Sequence, residues 1–283
     1  MPELPEVESA RVHLEGWLVG QRLQAVQVPP TRLLGDQSAT AVQAILSGAR
    51  VEAVVRRGKH LLVELDRGRA LYLHLGMTGK FVERPLGEEV PHARLVLELK
   101  RRWVIFRDPR LFGRIAVGPK PRLWELYFSP LGPDAWLEPL DAEGWLERLG
   151  RTKRPIKVAL LDQSLVAGLG NIYAAEALFR ARIHPERPAS SLSKKECGAL
   201  AKAVQVTLQK ALAAIAQEDE LTYLSEGGEN PFLVYERAGA PCVRCQAPIV
   251  RTVLGGRSTY HCPSCQLNGP PAETRTRPAR PKR

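Results

Sequence analysis

The sequence predicts an α+β protein of two domains, an antiparallel β-sandwich or flattened barrel with flanking helices followed by a helical domain. Three observations carry that reading. Short β-prone stretches separated by glycine-rich or charged turns fill residues 22–117, the pattern of an antiparallel all-β layer pair. A proline-rich stretch at 129–140 then breaks the chain, and beyond it apolar residues recur at helical spacing. Finally, four cysteines fall in two close pairs at 242–265.

In chain order, Val7, Ala10, Leu14, Trp17 and Leu18 recur at helical spacing, so an amphipathic helix over 5–18 anchors the N-terminus. The strands are expected at 22–28, 51–56, 60–66, 69–75, 94–99, 103–107 and 114–117, with one helix near 39–47 between the first two. Helices are expected over 141–149, 155–162, 171–181 and 193–216. The last carries Cys197, Leu200, Val204, Leu208, Leu212 and Ile215 on one stripe, which makes Cys197 a buried structural thiol. The resulting domain plan is 1–130, a linker at 131–140, 141–232, a cysteine module at 233–265 and a basic tail at 266–283 expected to be disordered.

The chain of 283 residues is long enough for two cores. Its formal charge of +11 favours a polyanionic partner, because each cation placed on a phosphate releases condensed counterion. Five basic residues against Glu273 give the tail +4 of that charge, leaving +7 for the rest. No stretch approaches the roughly 20 apolar residues of a membrane span, and the acidic N-terminus is unlike a signal peptide, so a cytoplasmic protein is expected.

Several stretches carry chemistry. Cys242-x2-Cys245 and Cys262-x2-Cys265 supply four thiolates for one tetrahedral structural zinc, with disulfides disfavoured in a reducing cytosol. Met1-Pro2-Glu3-Leu4-Pro5-Glu6 has two readings. It is a helix start, with proline and carboxylates in the first turn, or, once Met1 is removed, an active site. In the second case Pro2 is a secondary amine with a pKa of about 7.7–8.0, able to attack an aldehyde-level carbon beside the carboxylate of Glu3. Glu6 follows three residues later on the same helical face. Residues 160–173 end one helix, pass through Gly168 and Gly170, and place Asn171 where an N-cap is expected. Such a helix start suits phosphate, and any helix–turn–helix packing would look similar. Arg56-Arg57-Gly58-Lys59 is a basic turn, with His60 a strand residue. Met77 and Phe112 lie at glycine-flanked turns, as core residues or as wedges for an opened duplex.

Taken in order over 1–265, these motifs resemble the bacterial formamidopyrimidine-DNA glycosylases, which release oxidised purines such as 8-oxoguanine and then nick the strand. The resemblance implies a helix, two-turns, helix motif and a β-hairpin zinc finger. It makes Pro2 the Schiff-base nucleophile, Glu3 the proton carrier, Glu6 a supporting carboxylate and Lys59 the cation at the lesion phosphate. It makes Met77 and Phe112 the wedges and Arg110 the partner of the orphaned cytosine, and it gives His92, Lys157, Asn171 and Arg257 contacts to DNA. The partner is then duplex DNA with oxidised bases or abasic sites, bound by a monomer near the bacterial nucleoid.

Three departures stand out. Leu111 replaces the arginine usual before Phe112, residues 217–233 are shorter and more acidic than the family's lesion-recognition segment, and the basic tail runs past the usual end. Two other readings follow from these: an endonuclease VIII-like enzyme for oxidised pyrimidines, and a DNA-binding relative without base excision.

Overall fold

A computed structural model describes residues 2–216 and 230–268. Met1, most of the altered 217–233 segment and the tail from 269 onward lie outside the described residues. Gln266, placed in the tail by the sequence reading, is instead buried, with Nε2 donating to the Ile183 carbonyl and Oε1 accepting from Cys262 N. The packed module therefore runs one residue past the last cysteine.

Helix α1 (Leu4–Leu18) opens the chain and buries Val7, Ala10, Leu14 and Leu18. Behind it come β1 (Ala25–Gln27), α2 (Ala39–Leu46), β2 (Val51–Arg57), β3 (His60–Leu65), β4 (Arg69–His74), β5 (Lys80–Pro85), β6 (Ala93–Glu98), β7 (Arg102–Arg107) and β8 (Arg114–Pro119). They form two four-stranded sheets, ordered β2-β3-β4-β8 and β1-β6-β7-β5, with every pairing antiparallel. Val54, Leu61, Val63 and Leu73 of one sheet share a core with Leu95, Leu97, Val104 and Phe106 of the other, closed by α1 and α2. This is the expected sandwich.

Two elements escaped the sequence reading. β5 pairs along the whole of β7, although Glu83, Arg84 and Pro85 make its second half look like a turn. Helix α3 (Lys120–Tyr127) buries only Leu123, so its apolar stripe is too thin to read. It nevertheless covers the outer face of the first sheet at Leu62, Ala70, Tyr72 and Ala116, which explains why β3 and β4 read as continuous apolar runs rather than alternating ones. The expected first strand shortens to three residues.

The second half is helical: α4 (Ala142–Gly150), α5 (Ile156–Leu160), α6 (Asn171–Ala181) and α7 (Lys194–Ile215). Ser193 and Glu196 form a capping box at the start of α7, which satisfies two orphan helix-end donors reciprocally. Trp145, Tyr173, Leu178, Cys197, Leu200 and Leu208 make its core, and Leu4 joins them. Helix α1 thus enters one core with Leu4 and the other with Val7. A hairpin of β9 (Val250–Leu254) and β10 (Arg257–His261) ends the described chain. Among the described residues no helix is long and apolar enough to cross a membrane.

Candidate active site and nucleic-acid interface

Three segments remote in sequence converge on the start of α1. Glu3 is fully buried, and its carboxylate accepts hydrogen bonds from Gly170 N (2.8 Å), Ile172 N (2.9 Å) and Tyr173 N (3.2 Å). It fills the N-terminus of α6, where free N–H groups and the helix dipole favour an anion. The cap is therefore supplied from another helix. Gly170 is the N-cap residue and Asn171 the first helical residue, which corrects the expected capping role of Asn171. Asn171 is 8% exposed and its Oδ1 has no partner among the described residues.

Two glycines make this approach possible. A Cβ on Gly168 would run into the Leu4 side chain, and one on Gly170 would collide with the Glu3 carboxyl group and lie 2.7 Å from Lys59 Nζ. Gly168 also has φ of +108°, which side chains rarely adopt. Lys59, on the turn between β2 and β3, thus stands beside Glu3 at the head of α6. Burial holds its ammonium below the usual lysine range, with Glu3 pulling it back up and Arg257 pushing it further down.

Glu6 closes the floor of the site. Its Oε2 accepts from Glu3 N (2.9 Å) and its Oε1 from the Tyr173 hydroxyl (2.6 Å). Burial raises its carboxyl, against the Tyr173 hydrogen bond, which lowers it. Pro2 is buried beside this pair. The structure shows the helix start, with Glu3 as N-cap residue and Glu6 in the first turn, and it buries in one place the residues that the second reading needs.

Lys157 sits deeper than a surface phosphate contact. It is fully buried, and Nζ donates to the Ser258 carbonyl (2.7 Å) and Thr259 Oγ1 (2.6 Å), so it fastens α5 to the hairpin beside exposed Arg257. Burial first, then Arg257, brings Lys157 down to about 8. Lys59, Lys157 and Arg257 are thereby a cationic cluster over two carboxylates, suited to a phosphate at its mouth.

The two expected wedges are exposed, Met77 at 38% and Phe112 at 47%. Sequence reasoning missed what holds their loops. Asp108, fully buried, accepts from Thr78 Oγ1 (2.7 Å), Arg110 N (3.2 Å) and Gly113 N (2.8 Å), while its own N–H donates to the His92 carbonyl (3.0 Å). One residue thus ties three places together: its carboxylate holds the Met77 loop and the Arg110–Phe112 turn, and its backbone N–H holds exposed His92. Arg32 braces the same turn, donating from Nε to the Leu111 carbonyl and from Nη2 to the Arg110 carbonyl, both at 2.9 Å. The Arg32 and Arg110 guanidinium groups both lie over the Phe112 ring, 5.6 and 4.8 Å from its centre. Leu111, where a second arginine was expected by resemblance, turns inward against the N-terminal core with φ of 56°. His74 Nδ1 accepts from Gly76 N (3.1 Å) at the base of the Met77 loop. The links from Asp108 to Thr78 and His92, and from Arg32 to the Arg110–Leu111 backbone, join residues far apart in the chain.

The Sγ atoms of Cys242, Cys245, Cys262 and Cys265 lie within 4.8 Å of one another, with 3.9 Å between Cys242 and Cys265 and 3.5 Å between Cys245 and Cys262. A tetrahedron with Zn–S of about 2.3 Å needs sulfurs about 3.8 Å apart. The donor set fits one structural zinc ion, and Cys197 stays buried in the helical core away from it.

Comparison with known proteins agrees along most of the chain. Residues 1–115 match the formamidopyrimidine-DNA glycosylase N-terminal domain, 131–220 the formamidopyrimidine-DNA glycosylase H2TH domain, and 239–268 the zinc finger found in FPG and IleRS. A formamidopyrimidine-DNA glycosylase of Thermus thermophilus is 41% identical over 278 residues, covering 95% of this chain and all of the relative. One of Desulfitobacterium hafniense is 39% identical over 94% of this chain and all of the relative. Lactococcus lactis Fpg bound to DNA containing N7-benzyl-Fapy-dG superimposes with a TM-score of 0.85 at 32% identity, over 94% of this chain and all of that one. The same enzyme bound to DNA with an oxidised pyrimidine gives 0.86 at 31% identity, with the same coverage.

Proposed function

The chain belongs to the formamidopyrimidine-DNA glycosylase family, and on that premise we propose that it removes oxidised purines from duplex DNA through its N-terminal proline and then cuts the strand. It is a DNA glycosylase of base excision repair carrying a structural zinc. The observation that carries the residue assignment is the meeting of Pro2-Glu3, Lys59 and the Gly170 helix start in one buried place.

The chemistry proceeds as follows. With Met1 removed, the Pro2 nitrogen bonds to C1′ of the extruded nucleotide while the glycosidic bond breaks and the base leaves with a proton. The sugar ring opens at C1′–O4′ to an iminium, with the Glu3 carboxyl group as proton carrier at the ring oxygen. The iminium acidifies the C2′ proton. Its removal expels the 3′ phosphate by β-elimination, and δ-elimination then expels the 5′ phosphate. Lys59 and Arg257 hold phosphate beside the reacting sugar, with Asn171 and Lys157 shaping that cradle. Glu6 orients Glu3 through its backbone N–H. Met77 and Phe112 fill the gap left by the extruded nucleotide, Arg110 pairs with the base opposite, and His92 touches the backbone nearby. The protein works as a monomer in the bacterial cytoplasm, at the chromosome.

Borohydride reduction in the presence of duplex carrying 8-oxoguanine or an abasic site is expected to trap a covalent protein–DNA adduct. No adduct with any lesion would refute the Schiff-base mechanism, and mass spectrometry of the N-terminus shows directly whether Pro2 is free. A second reading, oxidised pyrimidines, is favoured by the altered 217–233 segment and by the L. lactis enzyme's complex with such DNA. Excision rates on 8-oxoguanine, formamidopyrimidine and thymine glycol decide between them.

A further inference from the structure

The connector between the two halves is tied into the turn that carries Lys59. Asp134, 1% exposed, accepts from Gly58 N (2.6 Å) and from Arg56 Nη1 (2.6 Å) on one carboxylate oxygen. Its other oxygen accepts from Trp136 N (3.0 Å) and Leu137 N (2.9 Å). Arg56, itself buried, also donates from Nη1 to the Gly58 carbonyl (3.0 Å) and from Nε to Glu8 of α1 (2.6 Å). Arg57 donates to the Gly132 carbonyl (3.1 Å) and pairs with Glu138 (2.9 Å). On its far side the connector pairs with Ala167, through Ala135 N to the Ala167 carbonyl and Ala167 N to the Pro133 carbonyl, both 2.9 Å. Gly58 rests on the same residue: with φ of +58° it allows a turn in which an added Cβ would lie 2.9 Å from Ala167 Cβ.

We propose that Asp134 is a positioning residue for Lys59, through which the interdomain connector sets the cation at the reacting sugar. The inference rests on the Schiff-base reading above. An aspartate suits this place because both its oxygens only accept, and every group facing them is a donor. An asparagine keeps the shape but turns an NH2 toward either the Gly58–Arg56 pair or the Trp136–Leu137 pair, so in both orientations donor faces donor. Arg56 keeps Glu8 as a counter-charge, so the loss falls on the turn rather than on a stranded cation. Lys59 is the next residue along that turn, and displacement of a reacting group by about an ångström costs up to about 100-fold in rate.

The test is a double-mutant cycle in the full-length zinc protein, measured by single-turnover base release, affinity for an uncleavable abasic-analogue duplex, and melting temperature. Asp134→Asn is expected to slow base release about tenfold or more with affinity held within about threefold. In a Lys59→Ala background the same change is expected to slow the residual rate by less than about twofold, because its effect runs through Lys59. Asp134→Glu keeps the charge opposite Arg56 but lengthens the arm, and should show the same dependence on Lys59 even where Asp134→Asn folds poorly. Equal slowing in both backgrounds, a loss confined to affinity, or unchanged rates would each overturn the proposal. A wild-type protein that gives no borohydride adduct would instead remove the reading beneath it.

Discussion

Gly170 carries no side chain, and Glu3 and Lys59 meet in the space that leaves. Its φ of −131° is ordinary for any residue, so Gly170→Ala strains no backbone and acts by driving the Glu3 carboxyl off the α6 donors and away from the Lys59 ammonium. Base release is expected to fall about 100-fold, and the melting temperature to fall as well because the buried carboxylate loses hydrogen bonds, as single-turnover kinetics and calorimetry would show. Two neighbours of Lys59 set an acid limit. Burial, then the charges of His74 and Lys59, holds His60 at about 3, and burial with Lys59 and Arg114 holds His74 at about 4. Both values lie below the unfolded imidazole, so the stabilisation is present above about pH 6.5 and is lost as pH falls through the folded values. Between those limits stability should drop by about 1.4 kcal/mol per pH unit for each histidine. Denaturant midpoints from pH 7 to 4 should follow that slope, and His74→Gln should reduce it. At this scale the sequence was readable where chemistry is written in neighbouring letters, as in Pro2-Glu3 or the cysteine pairs. It was silent for Asp108, Asp134 and Arg32, whose side chains reach partners 30 to 79 residues away, mixed for the two aspartates with near donors.

The start of α6 illustrates how an element's chemistry can be redirected. Its glycine turns were legible, and so was its affinity for an anion, but the anion present is Glu3. Strongly periodic elements were the legible ones: the sequence reading places α6 at the same limits as the structure and α7 within a residue at each end. The elements lost were those with weak patterns, β5 with its charged second half and α3 with a single buried residue. The hairpin's own strands bury little beyond Thr259 and His261, and the cysteine module has only a small core, Val234, Cys242, Ile249 and Cys262 against Ala175 and Phe179 of α6, so metal is expected to supply much of its stability. Cys262→Ser is expected to lower zinc content and DNA affinity together, the second because Arg257 and the Lys157 clamp are both set by this hairpin. Metal analysis beside a binding isotherm checks it, and undiminished zinc would refute the four-thiolate site.

Across the whole molecule, charge and connectivity act together. The basic residues beyond 268 hold +4 of the net +11. Removing residues 269–283 is expected to flatten the dependence of log K on log salt by up to about 4, at about 0.9 per phosphate contact, while base release at saturating DNA stays unchanged. Titrations at several salt concentrations measure the slope. Leu4 packs in the helical core and Val7 in the β core, so the two halves share the helix that follows Pro2 and Glu3. The bonds from Glu3 to Gly170, Ile172 and Tyr173 span 167 to 170 residues. During synthesis the N-terminal end leaves the ribosome first, and the donors that hold Glu3 follow only after more than half the chain has been made. A nascent or truncated product therefore carries Glu3 without the helix start it fills. The buried junction at the head of α1 cannot close until translation has passed Tyr173, so its assembly is deferred to a chain long enough to hold both halves.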